Sequence, residues 1–167
     1  MKILHLLRHA KSSWSQPGLA DRDRALNKRG RRDAPRIGRA LAERIEPMTI
    51  AASRARRAQL TLEGLCIGWP AIANLTHRQE EALYTFSDSD LADWIRAQDD
   101  SLSSLFIIGH NPAFTCIINT LCGTDALDNL PTAGYARLNL VIESWRDLRR
   151  GCAQLDELLL PRHLEEQ

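Results

Sequence analysis

Three clusters of side chains with chemical potential each follow a short apolar run. Arg8-His9 closes Lys2–Arg8, Ser53 to Arg57 follows Met48–Ser53, and Gly109-His110-Asn111-Pro112 follows Leu105–Gly109. Arginine offers a planar, permanently charged fork that matches phosphate oxygens two at a time. A neutral histidine ring nitrogen is a competent nucleophile, and a protonated ring is a donor. Each cluster alone is commonplace: an Arg-His pair usually decorates a surface, and Ser-x-Ala-x-Arg-Ala is ordinary helix-start chemistry. The Gly-His-Asn-Pro run says more, because Gly109 permits a tight reversal and Pro112 suits the first position of a helix. Together the clusters would make an anion site, with phosphate the obvious anion.

Convergence depends on the elements between them. Lys2–Arg8 reads as a strand buried on both faces. Residues 10–25 form a loop around Pro17-Gly18. From Asn27, Ala34, Ile37, Leu41 and Ile45 recur at helical spacing until Pro47. Met48–Ser53 reads as a second strand, and Ala55, Ala58, Leu62 and Leu65 mark a second helix. Ile72–Thr76 is a candidate third strand, followed by a loop over 77–86. Ser87 with Asp90 resembles a capping box for a helix to about Gln98. Leu105–Gly109 is the most strand-like run, followed by a helix to Cys122. Tyr135–Ile142 alternates as a strand, with Cys152–Leu160 as its partner. Strands alternating with helices imply an α/β fold: a three-layer α/β/α sandwich with a mostly parallel central sheet, in one domain over residues 1–167. Parallel strands would bring all three clusters to the carboxyl edge, where ligands of open α/β sheets bind.

Composition narrows the class. Of 167 residues, 44% are hydrophobic and 26% charged, which is ordinary for a globular protein. No apolar run approaches the length needed to cross a bilayer, and the first residues lack the pattern of a signal peptide, so a cytoplasmic protein without a membrane partner is expected. The four cysteines show no CxxC spacing and read as reduced, mostly buried thiols. The net charge of +1 hides an asymmetry, with a basic segment over residues 1–60 and an acidic remainder. Basic charge with little aromatic interleaving favours a small anion over nucleic acid.

Leu6-Leu7-Arg8-His9-Ala10-Lys11-Ser12-Ser13-Trp14 resembles the signature of the histidine phosphatase (phosphoglycerate-mutase-like) superfamily, with Ala10 in place of the usual Gly. Asp23-Arg24-Ala25-Leu26-Asn27-Lys28-Arg29-Gly30, Arg32-Asp33-Ala34-Pro35, Gly109-His110-Asn111-Pro112, Pro131-Thr132-Ala133 and Pro161-Arg162-His163-Leu164 are similar to the SixA-type phosphohistidine phosphatases. The resemblance implies that His9 is the phosphorylated nucleophile, with Arg8, Arg57 and His110 around the phosphoryl group. Arg57 is chosen by register against the family's Ser-Pro-x-x-Arg-Ala-x-Gln-Thr, in which Arg54 and Leu60 are departures. Ser15 stands where mutases often carry an Asn that contacts phosphate. No metal or other cofactor is implied, since the arginines and His110 supply the positive charge.

The leaving group separates two enzymatic readings. An alkoxide leaving from a phosphate ester needs a proton donor. Glu81-Ala82-Leu83-Tyr84 resembles the family's acid-bearing Glu-x-x-Tyr loop, which makes Glu81 the candidate acid; a solvated loop glutamate is the plainer alternative. Only residues 72–100 are available for a cap, so an open cleft is expected. The first reading is a phosphatase of a phosphorylated protein of the histidine-phosphotransfer type, releasing inorganic phosphate. The second is a small-molecule phosphomonoesterase. A non-catalytic phosphate-binding module and a nucleic-acid binder are the remaining classes.

Overall fold

Alternate residues of the apolar runs part to opposite sides of one sheet. Leu4 and Leu6 join Leu105 and Ile107 in one buried cluster, whereas Leu7 joins Phe106 and Ile108 in another. This period of two, apolar on both faces, is the pattern of a strand covered on both sides. The computed structural model describes residues 1–164. Its strands are β1 (Lys2–Arg8), β2 (Ala51–Ser53), β3 (Arg78–Glu80), β4 (Ser104–Gly109), β5 (Tyr135–Leu140) and β6 (Ala153–Leu159), in spatial order β3-β2-β4-β1-β5-β6. The helices are α1 (Lys28–Ala42), α2 (Arg56–Gly68), α3 (Asp88–Arg96) and α4 (Ala113–Cys122). α1 and α2 cover one face through Ile37, Leu41, Ala58 and Leu65. α3 and α4 cover the other through Leu91, Ile95, Phe114, Ile117 and Leu121. The result is a three-layer α/β fold. Its sheet is mixed: β3, β2, β4 and β1 run parallel, while β5 and β6 add an antiparallel edge.

Capping is set by single side chains. The Asn27 side chain accepts from the Gly30 N–H at the start of α1, and Ser87 accepts from the Asp90 N–H at the start of α3. Pro112 is the N-cap of α4 rather than its first residue. α1 and α2 approach closely because glycines face across the contact. A Cβ on Gly38 would lie 2.5 Å from the Leu65 carbonyl oxygen, and one on Gly64 would lie 2.5 Å from the Ala34 Cβ. That packing fixes α2, and with it Arg57 in its first turn.

Several expectations need correction. The strand expected at Ile72–Thr76 is absent; Pro70–Ile72 is a 3₁₀ turn in which Ile72 plugs the α1/α2 side of the core. The edge strand lies instead at Arg78–Glu80, three polar residues with no apolar alternation to reveal them. α1 ends at Ala42, where the N–H groups of Arg44 and Ile45 both turn back to the Leu41 carbonyl. Residues 72–100 provide the sheet edge and α3, which packs on α4. The cysteines are all free thiols, but Cys152 alone is buried and Cys116 is exposed. Among the described residues no helix is long and apolar enough to cross a membrane.

Candidate active site

The sheet register brings the three clusters together. β4 lies between β2 and β1, with Arg8 paired to Gly109 and Ala52 to Ile108. His9, Ser53 and His110 therefore emerge side by side at the carboxyl edge. The turn before β5 braces this edge. Ala133, in the left-handed region at φ 58°, directs its N–H to the carbonyls of both Arg8 and His9. Arg8 Nη1 and Asn111 Nδ2 both donate to the Leu130 carbonyl.

His9 and His110 have ring centroids 5.2 Å apart and are 7% and 1% exposed. Arg57 lies between them. Its Nε is 3.4 Å from His9 Nε2, and its Nη2 is 3.4 Å from His110 Nδ1. Both contacts are long for hydrogen bonds. His9 Nδ1 donates to the Ala10 carbonyl at 2.8 Å, which leaves Nε2 as the nitrogen with the lone pair. His110 Nε2 is 2.8 Å from the Ser53 hydroxyl, which can act as donor or acceptor. Thr61 ties the parts together by accepting from the Ala10 N–H and donating to the Arg57 carbonyl. Arg8 Nε is buried without a hydrogen-bond partner among the described residues.

Burial, reinforced by neighbouring positive charge, sets the protonation states. It lowers the His9 pKa to about 3, against the opposing Ala10 hydrogen bond and with help from His110, Arg57 and Arg8. His110 is also lowered to about 3, by burial and then by Arg57. Both rings are therefore neutral near pH 7. The lowered pKa leaves the His110 ring uncharged in this setting. An arriving phosphoryl dianion would favour its charged form.

Two residues chosen from sequence are not brought to His9 by any contact. Ser15 is exposed, and its hydroxyl pairs with that of Ser13 in a cleft shared with Leu26 and Arg31. Glu81 has both carboxylate oxygens held by Arg22, at 3.0 and 2.8 Å. The Arg22 hydrogen bond keeps its pKa below the usual glutamate range.

Sequence reasoning assigned no role to Asp21, which the structure places against Arg57. The Asp21 main-chain oxygen accepts from Arg57 Nη1 at 2.8 Å, and Oδ2 accepts from Nη2 at 3.0 Å. Tyr84 donates to the same Oδ2, and Arg24 Nη2 donates to Oδ1. The alternating Asp21-Arg22-Asp23-Arg24 run was the available signal, but its partners lie far off in sequence. Tyr84 and Phe86 flank His110 with ring centroids 5.4 and 5.5 Å away.

An α/β sheet that presents two neutral histidines and two arginines on its carboxyl edge has the architecture and side chains of a phosphoryl-handling protein. The chain matches the histidine phosphatase superfamily (branch 1) over residues 4–86. A Mycobacterium tuberculosis protein of uncharacterized function is 33% identical over 166 residues, spanning 93% of this chain and all of the relative. A chain from Agrobacterium tumefaciens, provisionally assigned as the phosphohistidine phosphatase SixA, superposes with a TM-score of 0.77 at 28% identity, covering 96% of this chain and 98% of that one. The protein histidine phosphatase SixA complexed with tungstate gives the same TM-score at 18% identity, covering 98% and 99%. The chain belongs to the histidine phosphatase superfamily.

Proposed function

We propose that the chain removes phosphate from protein phosphohistidine through a phosphorylated His9, releasing inorganic phosphate. The observation that carries the nucleophile assignment is the Nδ1–Ala10 carbonyl bond, which leaves Nε2 free on the side facing Arg57. In the first step the Nε2 lone pair attacks phosphorus. The bond from phosphorus to the donor nitrogen breaks, and its electron pair stays on the departing imidazole, which takes a proton from solvent. The Ala10 carbonyl, accepting from Nδ1–H, stabilises the positive charge that grows on the His9 ring. Arg57 Nε and Nη2, together with Arg8, meet the equatorial oxygens, where phosphoryl transfer is helped chiefly by position and charge. In the second step water attacks phosphorus, the P–Nε2 bond breaks with its electron pair returning to Nε2, the protons of the water leave with the phosphate and to solvent, and His9 returns to its neutral form.

The choice of phosphohistidine over a phosphate ester rests on the carboxylates. Glu81 is held ionised by Arg22, and Asp21 is lowered to about 2 by the hydrogen bonds of Tyr84 and Arg57, which outweigh its partial burial. Both shifts favour the ionised form, which weighs against either as the proton donor for an alkoxide. An imidazole leaving group needs little such help. Hydrolysis of a phosphohistidine peptide should exceed that of a phosphosugar and survive Glu81→Gln. Dominant ester hydrolysis that collapses in this variant would instead establish the phosphomonoesterase.

A further inference from the structure

We infer that Asp21 is the positioning residue of the phosphate fork: it grips one edge of the Arg57 guanidinium so that the other edge faces both histidines. The inference rests on the proposed role of Arg57. A guanidinium has two edges that can bind an oxyanion, the end formed by Nη1 and Nη2 and the side formed by Nε and Nη2. Asp21 occupies the end, with its main-chain oxygen on Nη1 and Oδ2 on Nη2. The side edge is the one 3.4 Å from His9 Nε2 and His110 Nδ1. Those long contacts give way readily to a phosphoryl oxygen, whereas the Asp21 contacts, at 2.8 and 3.0 Å, do not.

Asp21 is in turn held from two directions. Tyr84 donates to Oδ2 from the segment after β3, and Arg24 donates to Oδ1 while its Nη1 reaches Ser12 beyond the end of β1. The neighbouring Arg22–Glu81 pair ties the same two segments together. Glu81 thereby gains a structural account as an exposed tie between the segment of Asp21 and the segment after β3. Arg57 is 2% exposed, so little solvent can reach its side chain to replace this grip if it is lost.

The test compares two variants of equal charge. Asp21→Asn keeps a side-chain acceptor for Arg57, Asp21→Ala removes it, and both delete the negative charge. Tungstate affinity is measured by calorimetry on the full chain, alongside kcat, KM and thermal melting. Positioning predicts that Asp21→Asn binds tungstate at least about tenfold more tightly than Asp21→Ala, the value of one well-placed charge-assisted hydrogen bond. The same ordering is expected in kcat/KM, measured well below the melting temperature of either variant. Tyr84→Phe should weaken tungstate binding more modestly. Equal affinities for the two Asp21 variants would overturn this inference alone. Failure of the unaltered protein to bind tungstate would overturn both it and the proposed function.

Discussion

The Nε of Arg57 faces the Nε2 of His9 across 3.4 Å, although the two residues are 48 positions apart in sequence. The gap is too wide for a good hydrogen bond, so in the proposed mechanism Arg57 Nε is free to donate to a phosphoryl oxygen while the Nε2 lone pair attacks phosphorus. Much of the fold serves this relationship, from the pairing of β1 with β4 to the glycine-lined approach of α1 and α2 that sets α2 in place.

Replacing Arg57 by lysine keeps the charge and loses the fork. A single ammonium cannot meet two oxygens and Asp21 together. We expect kcat/KM to fall by roughly 10²–10³-fold, comparable with the loss of one preorganised donor at a developing anion. Steady-state kinetics on a phosphohistidine peptide would show this, and a loss under threefold would contradict the role of the fork.

Ser53→Ala leaves His110 Nε2 without its partner and removes the acceptor for the Ala55 N–H. A buried group left unsatisfied costs about 1–3 kcal/mol. We expect that loss in denaturant-measured stability, together with a fall of about tenfold or more in kcat as His110 loses its orientation. Unchanged stability and rate would mean that the Ser53–His110 bond has no consequence.

Stability should depend on pH through buried histidines. Burial lowers His9 and His110 to about 3 and His5 to about 4 in the folded chain. The unfolded chain titrates near 6.5. Between these values the unfolded state binds more protons, so stability rises with pH. The contribution is complete above about pH 6.5 and is lost as pH falls toward about 3. Urea denaturation at pH 7 and at pH 5 should show the decrease. The His9 and His110 ring signals in nuclear magnetic resonance should stay flat from pH 8 to 5, whereas a His9 midpoint near 6.5 would contradict a neutral, buried nucleophile.

Gly38→Ala drives a methyl group to 2.5 Å from the Leu65 carbonyl oxygen. Overpacking of this kind costs about 1–3 kcal/mol, more than the roughly 1 kcal/mol that alanine contributes to helix propensity. A lower melting temperature is expected, with some loss of activity because α2 carries Arg57. An unchanged or higher melting temperature would show that α1 and α2 can separate without cost.

The strand ends are legible because β1 and β4 are apolar runs followed at once by His9 and His110, and parallel strands present those ends on one edge. β3 was hidden because Arg78, Gln79 and Glu80 carry no hydrophobic signal; their strand exists only by pairing with β2. Glu81 invited an acidic role because its partner, Arg22, is 59 residues away in sequence. Asp21 gives no such signal for the same reason: its contacts to Arg57 in α2 and to Tyr84 after β3 form only in the folded chain. Residues inside regular elements carry their environment in local periodicity, whereas residues in loops acquire theirs from tertiary contacts.

The most direct measurement is covalent trapping. The full chain is incubated with a phosphohistidine peptide labelled on phosphorus, quenched within the turnover time, and digested under alkaline conditions that preserve phosphoramidates. The account predicts an acid-labile label on His9 and none on the His9→Ala chain, which should retain its fold and lose turnover. Label on another residue, or sustained turnover by His9→Ala, would contradict it.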